Sequence, residues 1–303
     1  MYDCLIIGAG PAGLTAGIYA ARAGLKVLVF EELVQGGQVA TTPEVDNYPG
    51  IKHMSGVDFA MNIYEQAMDL GVELVYERVI GAELKGKIKK LKTTTAEYEA
   101  KAVIIANGAK RRKIGCKGEE ELTGSGVSYC ATCDGAFYKN KITAVVGGGN
   151  TALEDAVYLA NLCKEVHLIH RRDEFRGSPI LVDALKSKEN IKIHYNSLVE
   201  EIKGEMKVNS VVIKNKVTGE IKEIYIDGIF GAVGLAPEND IFEGQINLDD
   251  NGYIISDENC HTNLKGVYAA GDTRTKKLRQ IVTAASDGAM AASEMYAEIL
   301  SEK

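Results

Sequence analysis

The sequence has little of what a disulfide scaffold or a structural zinc site requires. Six cysteines are spread over 303 residues, at positions 4, 116, 130, 133, 163 and 260, and only Cys130 and Cys133 lie close together. A long chain with one Cys-x-x-Cys is not built around disulfides. A four-ligand zinc site needs a second such pair or added histidines, so no metal is expected. Excess basic charge is also lacking. The formal net charge is −7, which argues against nucleic acid or an anionic membrane as the partner. The basic runs at 110–113 and 276–277 read as solvated loop charges. Residues 4–21 carry no charge, but Gly8, Gly10, Pro11, Gly13 and Gly17 interrupt them. Their pattern changes from strand to helix at the glycines, which excludes a membrane span. A basic lead-in and a small-residue cleavage site are missing from it, so it does not read as a secretion signal and a cytoplasmic protein is expected. Low-complexity linkers are absent too.

What is present is one pattern twice. Apolar residues make up 46% of the chain and charged residues 25%, enough for a full core in each of two domains. Residues 3–31 read as a strand at 4–7, a glycine turn, a helix at 13–23 and a strand at 26–30. Residues 142–170 repeat this, with a strand at 142–146, a glycine turn, a helix at 152–162 and a strand at 165–169. Each is a βαβ unit of about 30 residues. Elsewhere a helix is expected at 56–70, short strands at 72–79, 88–94, 96–101 and 103–106, further strands from 191–195 to 224–233, and a closing helix at 279–300. This order inserts the second unit into the first. The expected fold is α/β with two Rossmann-like domains: 1–111 and 239–303 form one discontinuous dinucleotide-binding domain, and 112–238 a second, inserted one.

The first turn reads Gly8-Ala9-Gly10-Pro11-Ala12-Gly13. Gly8 permits the tight bend, Gly10 lets backbone approach a pyrophosphate, and Gly13 lets helix pack on strand. N–H groups of the helix N-terminus then hold phosphate. Glu31, at the end of the second strand, is spaced to bond a ribose. In the second turn, Gly147-Gly148-Gly149-Asn150-Thr151-Ala152, alanine takes the third glycine position. The next strand ends not in an acid but in His170-Arg171-Arg172-Asp173-Glu174-Phe175-Arg176. Guanidinium groups bond a 2′-phosphate that an acid would repel, so this ligand is expected to be NADPH rather than NADH.

The Cys130-x-x-Cys133 spacing allows a reversible disulfide. Asp134 either delivers a proton to a leaving thiolate as a general acid or serves as a helix cap or first-turn charge. NADPH gives up a hydride, whereas a disulfide accepts two electrons through thiolate chemistry. A flavin joins the two, so the first site is expected to hold FAD.

GAGPAG at 8–13, Gly36-Gly37-Gln38, Cys-Ala-Thr-Cys-Asp at 130–134, GGGNTA at 147–152, HRRDEFR at 170–176, GVYAAGD at 266–272 and Arg279-Gln280-Ile281 occur in one order. In kind and order these motifs resemble the low-molecular-weight, bacterial-type thioredoxin reductases over nearly the whole chain. The resemblance implies three-layer ββα domains and a homodimer that reduces thioredoxin or a thioredoxin-like protein. It implies FAD contacts from Gly8, Gly10, Pro11, Ala12, Gly13, Glu31, Gly36, Gly37, Gln38, Asn47, Ala106, Gly271, Asp272, Arg279, Gln280 and Ile281. For NADPH it implies Gly147, Gly149, Asn150, Thr151, Ala152, His170, Arg171, Arg172 and Arg176. The resemblance further implies that Cys133 faces the flavin, Cys130 attacks the partner disulfide, and Asp134 is the acid. The last helix points its positive end at the flavin. It implies too that hinges near Arg112 and Glu238 would let nicotinamide and the cysteine pair alternate at the flavin. Intact GGGNTA and HRRDEFR argue against the ferredoxin-dependent variant. A chain starting at its first strand argues against an added N-terminal thiol domain. The competing readings are an NADPH:ferredoxin or NADPH:oxygen flavin reductase, which needs neither cysteine, and a non-catalytic redox sensor or NADPH-binding protein.

Overall fold

The structure is a computed structural model that describes residues 1–42 and 44–301, with Cys133 given by its backbone alone. The chain divides into two compact units, Met1–Lys110 with Ala236–Lys303, and Arg111–Leu235. The expected crossings were at 111/112 and 238/239. Glu238 stays with the first unit because Lys110 Nζ pairs with its carboxylate at 2.7 Å and Asn107 Nδ2 donates to its carbonyl at 3.0 Å.

The first unit is built on a sheet whose strands lie in the order Glu73–Tyr76, Val27–Glu31, Tyr2–Ile7, Glu97–Ile105, Lys89–Thr93 and Val79–Glu83. The short strand Val267–Ala269 also pairs with Glu97–Ile105. Side chains alternate across a strand. Cys4, Ile6, Val27 and Val29 therefore face helices Pro11–Arg22 and Ile281–Ser301, where they meet Leu14, Ile18, Met295 and Ile299. Leu5, Ile7, Leu28 and Phe30 face the other way, against Leu84, Leu91, Phe242 and Ile254. The two helices approach closely because small residues line their contact. A Cβ on Gly288 would sit 2.1 Å from the Ala12 carbonyl oxygen.

Strands expected at 96–101 and 103–106 are one strand, Glu97–Ile105. Its first half pairs antiparallel with Lys89–Thr93 and alternates between exposed and buried. Its second half lies between parallel neighbours and is buried throughout, as parallel pairing on a covered sheet requires. The change of pattern at residue 102 marks a change of neighbour rather than a break.

The second unit repeats the plan. A parallel sheet runs in the order Val127–Ser128, Gly228–Ala232, Ile142–Gly147, Glu165–Ile169 and Ile191–His194. Val145, Leu168 and Phe230 face helices Asn150–Ala160 and Pro179–Lys186, meeting Leu153, Leu159 and Leu185. Ala144, Val146 and Ile229 face an antiparallel three-stranded sheet, Ser197–Gly204, Val208–Asn215 and Ile221–Tyr225, meeting Val211, Ile213 and Ile224. The single strand expected at 224–233 is two strands in two sheets. Asp227 makes the break: its N–H donates to the Ile142 carbonyl at 2.7 Å and its carboxylate accepts the Ile142 N–H at 3.0 Å. Helix Pro179–Lys186 was not anticipated, although Pro179 in its first turn, just after Ser178, is a start signal.

Among the described residues no helix is long and apolar enough to cross a membrane. The uncharged stretch at 4–21 is divided between the first strand and the first helix.

Candidate nucleotide turns and redox pair

In the first unit, Gly8 has φ +102°, and a Cβ there would lie 2.5 Å from the Ala106 carbonyl oxygen. The left-handed bend and this close approach both demand glycine. A Cβ on Gly13 would lie 1.9 Å from the Gly8 carbonyl oxygen, so the helix sits directly on the turn. Gly10 is different. A Cβ there meets nothing within 4 Å, and Gly10 caps helix Pro11–Arg22 with no side-chain hydrogen bond. The helix N-terminus is thus uncapped behind open space, the arrangement that accepts phosphate oxygens.

The neighbouring loops converge on this turn. Gly36 N–H donates to the Ala9 carbonyl at 2.7 Å, and a Cβ on Gly37 would touch Gly10 Cα at 3.4 Å. Gln38 Nε2 donates to the Ala109 carbonyl at 2.6 Å. A Cβ on Gly271 would meet the Ala12 side chain at 2.8 Å. Glu31 does more than terminate a strand. Its Oε2 accepts the Ala9 N–H at 3.0 Å and its Oε1 the N–H groups of Glu32 and Leu33, which fixes the carboxylate beside the turn with lone pairs to spare.

Asp272 follows the strand Val267–Ala269 on a single 3₁₀ turn, Gly271–Thr273. Its Oδ1 is buried without a hydrogen-bond partner, and burial raises its pKa. A buried acceptor left unpaired costs free energy, and a hydroxyl-bearing ligand such as the polyol chain of FAD is a fitting donor. The Arg279 guanidinium lies 4.0 Å above the Tyr253 ring, and its Nε donates to the Asp272 carbonyl at 3.3 Å. Asn47 Nδ2 donates to Gln280 Oε1 at 3.0 Å, and Ile281 begins the last helix. The glycine cradle, the uncapped helix and the orphaned Asp272 oxygen fit a dinucleotide flavin.

Sequence reasoning missed Asp287. From the last helix its Oδ2 accepts the Gly271 N–H at 2.9 Å and pairs with Lys276 at 2.7 Å, while Oδ1 pairs with Arg274 at 3.1 Å. The available signal was an acid inside the small-residue run Ala284-Ala285-Ser286-Asp287-Gly288-Ala289.

In the second unit, a Cβ on Gly147 would strike the Ala232 carbonyl oxygen at 2.3 Å. Gly149 opens onto free space and caps helix Asn150–Ala160 without a side-chain bond. Thr151 is exposed and Ala152 buried. Asn150 Oδ1 accepts the Ser178 N–H at 2.8 Å, and Arg176 N–H donates to the Gly148 carbonyl at 2.8 Å, so the basic segment folds back over the turn. His170 is buried. A Cβ on Gly148 would collide with its ring, and its Nε2 lies 2.9 Å from the Glu174 carbonyl. It shapes the turn, whereas Arg171 and Arg176 are exposed and Arg172 is half-buried. Among the described residues none of these three guanidinium groups has a carboxylate partner, which leaves three cations available to a phosphate.

Cys130 is disulfide-bonded, and Cys4, Cys116, Cys163 and Cys260 are free. The side chain of Cys133 lies outside the described residues. Burial pushes the Cys116 and Cys260 thiols up to about 12, so neither is a thiolate at neutral pH. Cys130 immediately precedes the single-turn helix Ala131–Asp134, and Asp134 N–H donates to its carbonyl at 3.1 Å. Asp134 precedes the 3₁₀ turn Gly135–Tyr138 and, among the described residues, makes no side-chain capping bond to it. Its Oδ2 accepts the Ser128 hydroxyl at 2.6 Å, and Ser128 Oγ in turn accepts the Cys130 N–H at 3.0 Å.

Comparison with known proteins agrees with this geometry. The pyridine nucleotide-disulphide oxidoreductase family matches residues 2–288. Thioredoxin reductase of Peptoclostridium acidaminophilum is 48% identical, with 98% of each chain covered. That of Bacillus subtilis is 43% identical over 100% of this chain and 96% of its own. The crystal structure of Lactococcus lactis thioredoxin reductase in its FR conformation is 44% identical, covers 99% of this chain and 100% of its own, and superposes with a TM-score of 0.89. The chain belongs to the pyridine nucleotide-disulphide oxidoreductases and, within them, to the thioredoxin reductase family. It is an NADPH-dependent disulfide reductase of the flavoprotein type, using FAD and NADPH.

Proposed function

We propose that this chain reduces the disulfide of thioredoxin through a Cys130–Cys133 pair, with Met1–Lys110 and Ala236–Lys303 as the FAD domain and Arg111–Leu235 as the NADPH domain. One observation carries the reading: the disulfide-bonded Cys130 and the Asp134 carboxylate are joined through Ser128 at the head of one helical turn. The partner follows from what the similar reductases are named for reducing. A homodimer working in the cytoplasm is part of the same reading.

Gly8, Gly10, Pro11, Ala12, Gly13, Glu31, Gly36, Gly37, Gln38, Asn47, Ala106, Gly271, Asp272, Arg279, Gln280 and Ile281 would hold FAD. The phosphates take the uncapped helix N-terminus, and Asp272 takes a hydroxyl. Gly147, Gly149, Asn150, Thr151 and Ala152 would hold the pyrophosphate of NADPH. Arg171, Arg172 and Arg176 would hold its 2′-phosphate, with His170 keeping the turn in shape. When bound, the flavin takes a hydride from NADPH and returns two electrons to a disulfide.

The chain's own residues then act in sequence. In the reduced pair, the Cys130 thiolate attacks one sulfur of the partner disulfide. A Cys130–partner bond forms and the partner's own S–S bond breaks. The departing sulfur takes a proton from Asp134. Cys133 then attacks Cys130 Sγ and gives up its thiol proton to the second partner sulfur as that sulfur leaves. The partner gains two electrons and two protons, and the pair is oxidised again.

The experiment is NADPH oxidation by the pure protein with Cys130→Ser and Cys133→Ser. Disulfide reductase activity that survives both changes would favour a flavin reductase reading in which neither cysteine takes part.

A further inference from the structure

Ser128 is buried, at 8% exposure, on the strand Val127–Ser128, which pairs with Gly228–Ala232 in the register Ser128 to Phe230. Its neighbour Tyr129 is held by the buried Glu119 carboxylate, which also accepts the Ile114 and Gly115 N–H groups at 2.6 and 2.7 Å. The serine is therefore fixed from both sides. A hydroxyl has one proton to give. Among the described residues two acceptors are in range, Asp134 Oδ2 at 2.6 Å and the Cys130 carbonyl at 3.5 Å. The much shorter bond to Asp134 takes the proton, and a lone pair on the hydroxyl oxygen accepts the Cys130 N–H at 3.0 Å.

We propose that Ser128 is a positioning residue for the disulfide step: it occupies Asp134 Oδ2, so that Oδ1 delivers the proton to the departing sulfur of the partner. The proposal rests on the reading of Asp134 as the acid. Among the described residues Ser128 bonds to Asp134 and to the backbone of Cys130, not to a reacting sulfur. It sets the rotamer of Asp134 and ties that carboxylate to the backbone of the cysteine that attacks. A proton donor held by one defined hydrogen bond from a rigid strand is pre-organised. A freely rotating one is not, and misplacement of about 1 Å can slow a reaction a hundred-fold.

The test uses Ser128→Ala, Ser128→Thr, Asp134→Asn and the double variant, each loaded with FAD. For each, kcat and KM are measured with oxidised thioredoxin from the same organism, together with the rate of flavin bleaching by NADPH. Ser128→Ala is expected to lower kcat about ten-fold, with KM for thioredoxin and flavin bleaching unchanged. Ser128→Thr, which keeps the hydroxyl, restores turnover. In the Asp134→Asn background, Ser128→Ala adds no further loss, because groups acting as a unit are not additive. The proposal is overturned if Ser128→Ala keeps the parent kcat, or if its loss multiplies with that of Asp134→Asn. Full turnover in Asp134→Asn alone removes the acid assignment itself, and the proposal with it. Should Ser128→Ala fail to fold, Ser128→Gly carries the same comparison.

Discussion

Asp287 accepts the Gly271 N–H at 2.9 Å and so ties the last helix to the turn that carries Asp272. Two cations, Arg274 and Lys276, flank the same carboxylate, and all three side chains are nearly buried. Removing one member of such a group leaves an uncompensated buried charge, at a cost of about 3 kcal/mol. Asp287→Ala is therefore expected to lower the thermal midpoint and to release FAD more readily. The check is thermal unfolding with flavin fluorescence as the second signal. A midpoint and flavin retention equal to the parent's would remove Asp287 from the account.

The arginine trio should set the choice of nicotinamide cofactor. Replacing Arg171, Arg172 and Arg176 with Ala is expected to raise KM for NADPH at least about 100-fold, since even one lost charge-assisted bond to phosphate, on the order of 1.5–3 kcal/mol, accounts for roughly that factor. KM for NADH should change little. Steady-state kinetics with both cofactors decides this, and unchanged NADPH kinetics would contradict it.

Glu119 holds the segment before the redox pair to the rest of its unit. Its carboxylate is buried and engaged by three backbone N–H groups and the Tyr129 hydroxyl. Glu119→Gln turns one acceptor oxygen into a donor that faces other donors. A loss of about 1–3 kcal/mol is expected, read as a lower denaturant midpoint with an unchanged slope.

Acid should loosen the second unit through a histidine pair. His167 and His194 stack with ring centroids 5.2 Å apart and Nδ1 to Nε2 at 2.9 Å, on neighbouring strands. Glu165, Lys192 and Lys222 also face them. Burial lowers both pKa values, that of His194 to about 4, with the positive partners adding to the effect on it. A base whose pKa is depressed on folding binds fewer protons when native than when unfolded. Its stabilising effect is complete above the unfolded value near 6.5 and is lost as pH falls toward 4. Thermal midpoints measured across that window should decline less steeply for His194→Gln than for the parent.

Much of this was legible in the sequence because it rests on local necessity. A strand, a left-handed glycine and an uncapped helix must follow one another where backbone meets phosphate, and both turns spell that order. The strand Glu165–Ile169 fell at its expected bounds, because a buried, mostly apolar run follows the charged Lys164-Glu165 and gives way to the basic segment from His170. The parts that were not legible depend on neighbours distant in sequence. Asp227 ends a strand only because Ile142 lies opposite it. Glu97–Ile105 is one strand because its partners change along it. Asp287 and Ser128 are ordinary residues until the fold brings Gly271 and Asp134 to them.

The most direct test of the central claim is NADPH oxidation with and without oxidised thioredoxin, for the parent and for Cys130→Ser and Cys133→Ser. Rapid oxidation by the parent only when thioredoxin is present, and its loss in both variants while NADPH still bleaches the flavin, is the predicted result. Thioredoxin reduction that persists without either cysteine would contradict it.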